Sequence, residues 1–380
     1  MKASGTWLSD TATQAVLAML ENAGHQALCV GGCVRDALIG RAVSDVDIAT
    51  DARPETVVAL AAQAGLKAVP TGIDHGTITV VAHGRGYEVT TFRRDVETFG
   101  RHAVIAFADR VEDDAARRDF TMNALYARAD GSLVDPLGGL SDLVQRRVRF
   151  VGTPADRIRE DYLRILRFFR FQAHFGDPQH PADAGALDAC AAHADGIAQL
   201  SRERVGAEMR KLLRAPDPGP AVRSMAATGV LEAALPGADP SALGLMVFLE
   251  GGLAPGWLRR LAVLAPHEVD SALRLSRAEA RDLVRLNEHA ATDAGLAALG
   301  YWLGADVGAD AALLRAARAR ELLPDGWHAE VARGAAQRFP LRAADLMPRC
   351  TGPALGRALR ELEWRWVASD FTLTRDQLLT

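Results

Sequence analysis

The chain runs to 380 residues, with 49% hydrophobic and 24% charged side chains and a formal net charge of -4. That length predicts two or three domains rather than one core, and that balance predicts a folded, soluble protein. The slightly acidic total excludes a surface that attracts nucleic acid everywhere. Arginines nevertheless cluster at Arg93-Arg94, Arg117-Arg118, Arg146-Arg147, Arg157 to Arg170 and Arg202 to Arg214, where a stripe on one face can hold several phosphates.

No stretch approaches the roughly 18 apolar residues of a membrane span, and Met1-Lys2-Ala3-Ser4-Gly5 lacks the apolar core of a signal peptide. The expectation is a cytoplasmic protein with no membrane partner. Cys29, Cys33, Cys190 and Cys350 are too few and too scattered for a disulfide framework, and no second pair completes a zinc site with the first two.

In chain order, an N-terminal helix is followed by strands near Ala27 to Val30, Val46 to Ala49, Thr77 to Ala82 and Tyr87 to Phe92, with helices near Val34 to Ile39 and Pro54 to Ala64. This pattern predicts a small mixed sheet with helices packed on it. From Pro154 onward the chain is rich in Ala, Leu and Arg and breaks only at Gly and Pro, as in Ala215-Pro216-Asp217-Pro218-Gly219-Pro220. The fold class is therefore α+β, with a head over residues 1–150, a helical neck over 151–215 and a helical body and tail over 216–380.

The glycine pair in Gly31-Gly32-Cys33-Val34-Arg35-Asp36 follows an apolar strand and opens a helix, so its backbone N–H groups can approach phosphate oxygens, with Gly32 and Arg35 set to hold a triphosphate. On the next strand Asp45 and Asp47 are two residues apart, and strand geometry turns both carboxylates to one face. Two hard oxygen ligands so placed can bind a pair of Mg²⁺ ions about 4 Å apart. Taken singly, a Gly-Gly pair is an ordinary turn and an Asp-x-Asp an ordinary solvated strand end. Their order and close spacing distinguish them.

Glu88 shares a strand face with Thr90 and Phe92 and stands either as a third acid beside Asp45 and Asp47 or as an edge-strand glutamate. Arg93 to Glu112, including Gly100-Arg101-His102, has no strong periodicity and reads as a loop. In Arg117-Arg118-Asp119-Phe120-Thr121-Met122-Asn123-Ala124 an acidic lead is followed by a helix expected from about Thr121, capped by Asp119 or Thr121. Arg159 to Arg170 reads as one amphipathic helix with Leu163, Ile165, Leu166 and Phe169 on its apolar face. Its Asp161 and Arg164, at i and i+3, form either a surface ion pair or a hydrogen-bonding template facing a pocket. A carboxylate acceptor beside guanidinium donors matches the amine and ring nitrogen of cytosine or adenine and mismatches uracil and guanine.

Gly-Gly-x-Val-Arg-Asp with Asp-x-Asp, Arg-Arg-Asp-Phe-Thr-x-Asn-Ala and Glu-Asp-x-x-Arg-x-x-Arg together resemble the signatures of the class II tRNA CCA-nucleotidyltransferase and bacterial poly(A) polymerase family. The resemblance covers about the first 215 residues with specific motifs. It implies a polymerase-beta-like nucleotidyltransferase head and metal-dependent transfer of CMP and AMP from CTP and ATP to the tRNA 3′ end. By resemblance, Asp45, Asp47 and Glu88 serve catalysis, with Asp45 and Asp47 as metal ligands. Gly31, Gly32, Arg35, Arg118, Asp119 and Asn123 surround the nucleotide, Asp161 and Arg164 read the base, and Arg167 and Arg170 bind phosphate, sugar or primer. The same motifs also fit a CC-adding or A-adding enzyme and a poly(A) polymerase, while retention of both aspartates counts against a silent tRNA-binding protein. Ser201 reads as the N-cap of a structural helix running through Leu213, and the segment around Trp364 and Trp366 as a packed helix.

Overall fold

Two short helices, α1 (Thr6–Ser9) and α2 (Thr11–Glu21), lead into β1 (Ala27–Val30), whose four residues are all buried. Burial on both faces marks an interior strand. There follow α3 (Gly32–Leu38), β2 (Asp47–Thr50), α4 (Pro54–Gln63), β3 (Lys67–Gly72), β4 (Thr77–Ala82), β5 (Arg85–Thr91), β6 (Arg93–Phe99), β7 (His102–Phe107), α5 (Val111–Ala116), β8 (Tyr126–Ala127), β9 (Leu133–Val134) and α6 (Gly139–Val144). The computed structural model describes residues 1–99, 102–265, 269–347 and 350–380.

Seven strands form one sheet in the order β3-β4-β5-β2-β1-β8-β9, with β2 and β5 parallel and the other neighbours antiparallel. This is the mixed sheet that the sequence predicts. Helices α2 and α4 pack on it, burying Val16, Leu17, Leu20, Val57 and Ala61. A second core gathers Leu28, Val30, Ala49, Phe92, Val111, Ala115 and Tyr126.

Three local expectations are corrected. The stretch from Arg93 to Glu112 is not a loop: β6 and β7 pair as an antiparallel hairpin from Arg93 opposite Phe107 to Phe99 opposite His102, and α5 follows. A register shift between Asp95 and Glu97 breaks the strict alternation that marks a strand in sequence. Gly100 and Arg101 lie outside the described residues. The expected helix from Thr121 is only a 3-10 turn, Thr121–Asn123, because the preceding Phe120 bridges to Phe150 in an extended pairing. There Thr121 N–H donates to Arg149 O and Val151 N–H to Asp119 O.

The third correction concerns the neck. Residues 159–170 are not one helix: α7 (Pro154–Glu160) stops, Asp161 is extended, and α8 (Leu163–Phe175) starts afresh. The Asp161 carboxylate accepts the N–H of Leu163 at 3.1 Å, the local side-chain bond by which aspartate competes with helix continuation. Tyr162 packs its ring so closely on Gly196 that a Cβ there would lie 2.1 Å from it. Beyond come α9 (Ala184–Ala192), α10 (Arg202–Leu213), α11 (Gly219–Ala227) and α12 (Val230–Ala234), then α13 (Leu243–Leu249), α14 (Trp257–Leu264), α15 (Val269–Leu273), α16 (Arg277–Ala290), α17 (Leu296–Leu303), α18 (Ala305–Ala319), α19 (Trp327–Ala335), α20 (Ala343–Leu346), α21 (Pro353–Ala368) and α22 (Arg375–Leu379). Among the described residues no strand follows β9, and no helix is long and apolar enough to cross a membrane.

The chain forms two compact units, one of Met1–Glu208 with Pro220–Ala234 and one of Met209–Gly219 with Leu235–Thr380. In the first, Phe120 packs on Phe150 and Phe171 with ring centroids 4.9 and 4.8 Å apart, and Phe150 stacks on Phe168. These rings join the Arg-Arg-Asp-Phe segment to α8. In the second, Trp366 is buried among Tyr301, Phe339 and Phe371, whereas Trp364 is exposed.

Candidate active site

At the end of β1 the chain turns through Gly31 at φ 74° and ψ -120°, a conformation that a Cβ forbids. A Cβ there would stand 3.5 Å from Nη1 of Arg118, so the guanidinium lies against the turn. Arg118 is held from behind. Its Nε and Nη2 donate to Oδ2 of Asp114 at 3.2 and 2.8 Å, and Nε also reaches the Tyr126 hydroxyl at 3.1 Å.

Asp114 is itself only 1% exposed and accepts five hydrogen bonds, from Arg117 Nε and Nη2, Arg118 Nε and Nη2, and the Tyr126 hydroxyl. Burial alone would raise its pKa, but the Arg118 and Arg117 cations overcome that and hold the carboxyl down at about 2. The pairing raises Arg118 in turn, against its burial, so Arg118 is a fixed positive charge beside the glycine turn. Sequence reading named Arg118 and missed Asp114, whose only signal was its place at the end of the acidic lead.

The expectation that Asp45 and Asp47 share a strand is corrected: β2 begins only at Asp47 and Asp45 lies just before it, although both are exposed on either side of the buried Val46. Asp45 accepts a hydrogen bond from Ser44 Oγ at 2.9 Å. The parallel register of β2 and β5 puts Asp47 directly opposite Glu88. The Asp47 carboxyl is pushed above the usual range by partial desolvation and then by the Glu88 charge, with Arg118 opposing and Asp45 reinforcing. Thus the glycine turn, Arg118 and the three acids share one neighbourhood. Uncompensated carboxylate charge of this kind fits a hard divalent cation. Among the described residues no three His, Cys, Asp or Glu side chains form a ready-made metal cluster.

A second network runs from the head to α8. Arg35 donates to both oxygens of Asp36 and, at 2.6 Å, to Oδ1 of Asn123, and it stands over the Phe175 ring at 4.1 Å. Its guanidinium is therefore engaged within the protein. Asn123 Nδ2 donates to Oδ1 of Asp119 at 3.1 Å, and Arg167 Nε donates to Oδ2 of Asp119 at 2.7 Å. Asp119 is buried, yet the Arg167 cation, the Asn123 amide and the Phe120 N–H keep its pKa low.

Of the two readings of Asp161 and Arg164, the surface ion pair does not form. Asp161 instead accepts from Arg204 Nη2 at 2.6 Å, while Arg164 pairs with Glu160 and donates to the carbonyls of Arg157 and Arg117 at 3.0 and 3.2 Å. The helix break separates the two side chains and gives each its own partner. Arg170 pairs with Glu208 at 2.6 Å. Glu160, Arg204 and Glu208 thus join the site. The last two lie on α10, which the sequence presents only as an amphipathic helix, and Ser201 at its start accepts the N–H groups of Arg204 and Val205 through its carbonyl.

Residues 27–149 match the family model described as poly A polymerase head domain, and residues 184–241 match one described as the probable RNA and SrmB-binding site of polymerase A. The CCA-adding enzyme of Geobacillus stearothermophilus is 41% identical over 224 residues, which is 58% of this chain and 54% of that protein. The mouse mitochondrial CCA tRNA nucleotidyltransferase 1 is 44% identical over 190 residues, covering 50% of this chain and 44% of that protein. The matches span about half the length of these curated relatives. Among solved structures, the Bacillus stearothermophilus CCA-adding enzyme in complex with CTP superposes with a TM-score of 0.76 over 94% of this chain and 93% of that one, at 29% identity. The Thermotoga maritima CCA-adding enzyme complexed with tRNA, at 17% identity and a TM-score of 0.67, shares the fold.

Proposed function

We propose that the chain is a member of the family that unites class II CCA-adding enzymes with bacterial poly(A) polymerases, and that it adds CMP and AMP from CTP and ATP to the 3′ end of tRNA, without a nucleic-acid template; the match to the head-domain model and the likeness to CCA-adding enzymes support this. The observation that carries this reading is the register that sets Asp47 opposite Glu88, next to the Gly31 turn and Arg118. Residues 1–150 act as the catalytic head, 151–215 as the base-selecting neck, and 216–380 as the body and tail that hold tRNA.

In this reaction the tRNA 3′-oxygen forms a bond to the α-phosphorus, the bond to the β-phosphate oxygen breaks, and pyrophosphate leaves. Asp45 and Asp47 would hold Mg²⁺, which when bound activates the attacking hydroxyl and neutralises the departing pyrophosphate. Gly31 and Gly32 admit the triphosphate to the backbone, and Arg118 sets a positive charge beside it. Arg35, tied to Asp36 and Asn123, orients the turn and the Asp119 network rather than reaching far into solvent. Asp161 offers the acceptor and Arg164 the donors for the base, held by Arg204 and Glu160. Rate enhancement comes from positioning and charge complementarity, and no protein nucleophile is needed.

The test is incorporation by the purified protein with Mg²⁺, using tRNAs that end before CCA, after C and after CC, each with CTP, ATP or both. Growth by CCA followed by a stop is expected. Addition that halts at CC, of the final A only, or of long A runs on any RNA reassigns the chain within its family. No incorporation overturns the enzymatic reading.

A further inference from the structure

Away from the carboxylates, the turn after α6, the C-terminal half of α8 and the connection from α8 to α9 enclose a cavity of about 500 Å³. Arg146, Arg147 and His180 stand on its wall, with Gln145 and Gln172 as neutral polar groups and Val148 as an apolar patch. Gln172 is eight residues along α8 from Arg164, about 12 Å by the helix rise, so the cavity lies beyond the base-reading end of that helix.

We propose that this cavity is an accessory RNA subsite that takes the phosphate and sugar of one nucleotide unit of the bound strand. The inference rests on the tRNA-directed function proposed above. Its volume is that of an ordinary small-ligand pocket and suits one nucleotide.

The charges on the wall are unevenly committed. Asp177 accepts the Gln179 N–H at 2.9 Å and faces His180 Nδ1 at 2.7 Å, while Asp183 accepts the Ala186 N–H at 2.8 Å as the N-cap of α9. Asp183 is thus engaged by its own loop, and Asp177 by its own loop and by the nearby Arg146 charge. Arg147 donates to Gln145 at 2.5 Å and is only 3.8 Å from the Asp142 carboxylate, a loose pairing on an exposed side chain. Arg146 has no side-chain hydrogen bond or ion pair among the described residues and is exposed. What remains available is two guanidinium groups, together with the Nε2 atom of an imidazole whose Nδ1 is set against a carboxylate. Guanidinium forks fit phosphate oxygens, and the neighbouring amides fit sugar hydroxyls.

Arg146 also sits at φ 53°, in the left-handed region, where the chain leaves α6; its N–H donates to Leu143 O and its carbonyl accepts from Asp177 N–H. Glycine is the residue that such a helix exit ordinarily favours. An arginine there keeps a side chain at the cavity that glycine would not supply, and it makes Arg146→Gly a clean test, since that change suits the backbone.

The experiment measures equilibrium binding of a tRNA lacking CCA to the full chain across a salt series, for wild type and Arg146→Gly, with His180→Ala as a second variant. We expect Arg146→Gly to weaken tRNA binding by about fivefold and to make the slope of log K against log salt shallower by about one, the mark of a lost phosphate contact. The melting temperature should be unchanged or higher, and KM for CTP and kcat at saturating tRNA unchanged. The ring resonance of His180, identified by its loss in His180→Ala, should shift on adding tRNA and not on adding inorganic phosphate or free ATP. A shift with phosphate or ATP alone would overturn the RNA assignment in favour of a free phosphate ligand. Unaltered tRNA affinity and salt slope in Arg146→Gly, with a wild type that binds and extends tRNA, would overturn the subsite alone. A wild type that neither binds nor extends tRNA would overturn the underlying function as well.

Discussion

Arg204 holds Asp161 through a 2.6 Å charge-assisted hydrogen bond from a helix 43 residues further along the chain. The acid that would accept the amine of the incoming base is thereby oriented by α10, not by Arg164 three residues away. Removing Arg204 should mimic the loss of Asp161 itself. We expect Arg204→Ala and Asp161→Ala each to relax discrimination against UTP and GTP by roughly 10-fold or more, the scale of one misplaced buried hydrogen bond. Stability should fall by only about 1 kcal/mol, because the pair is partly exposed. Competition assays with mixed nucleotides read the effect, and unchanged selectivity in both variants would reduce the pair to a structural clip.

A parallel argument applies to Asp114 and Arg118. With Asp114 buried and receiving bonds from two arginines and Tyr126, Asp114→Asn leaves cationic groups without their counter-charge. Breaking such a pair from one side costs about 3–5 kcal/mol. Asp114→Glu should recover part of that stability. The functional signature is a rise in KM for CTP and ATP with a smaller change in kcat in the variants that remain folded, because Arg118 would lose its orientation towards the nucleotide. A variant that is destabilised but has wild-type KM would show that Asp114 serves folding only.

How far the sequence carried these conclusions depends on the range of the interaction. Gly31, Asp47 and the strands around them are legible because turn chemistry and period-2 alternation are local, whereas Asp45, expected on the same strand as Asp47, lies just before β2 begins. Glu88 was ambiguous alone and gains meaning only from the parallel register with Asp47, which no local pattern encodes. The Asp161 to Arg164 spacing suggested a pair within one helix. Asp161 instead bonds the Leu163 N–H, the helix breaks, and Glu160 and Arg204 become the partners. The β6 and β7 hairpin was illegible for a related reason, since its pairing is fixed across strands and interrupted by a shifted register. The anchoring of Arg35 to Asn123, 88 residues on, is likewise something no local pattern reveals.

Acid should act on this molecule through Asp114. Its carboxyl lies at about 2 in the folded protein, below the ordinary value of about 3.9 that it takes when unfolded. A depressed folded value contributes stability that is complete above about pH 4 and is lost as pH falls through 4 towards 2. The window corresponds to about 2–3 kcal/mol for this one group. Urea titrations at pH 5, 4 and 3 should show the decline, and Asp114→Asn should flatten it. An equally steep decline in Asp114→Asn would place the acid sensitivity elsewhere.

In the second unit, Glu250 accepts from Arg259 at 2.7 Å and from Arg260 at 3.0 Å, and Arg260, 1% exposed, also donates to the carbonyls of Leu213 and Ala215. Glu250→Ala leaves the buried Arg260 without a carboxylate partner and Arg259 with only Asp310, at 2.8 Å. We expect a loss of about 3–5 kcal/mol, seen as a lower melting temperature or an early transition for that unit. Base selectivity should be unaffected in the folded fraction. A loss below about 1 kcal/mol would mean that the backbone carbonyls suffice for Arg260.

Asp47 presents the opposite sign from Asp114. Its carboxyl is raised above the usual range by partial desolvation and by the nearby Glu88 charge, so its ionised form is the disfavoured one in the folded protein without a cation. Stability linked to this group is therefore greatest at low pH and declines as pH rises from the ordinary aspartate value through the raised folded one. Cation binding requires the ionised form and should strengthen over the same interval. Asp47→Asn should consequently melt higher than wild type in chelator while losing at least about 100-fold in incorporation, and Asp45→Ala should lose activity similarly with tRNA binding retained. Melting in chelator and in Mg²⁺ separates the two effects: Mg²⁺ should raise the wild-type melting temperature and leave Asp47→Asn where it was. A variant that keeps full activity, or whose melting temperature still responds to Mg²⁺ as wild type does, would remove Asp47 from the metal site.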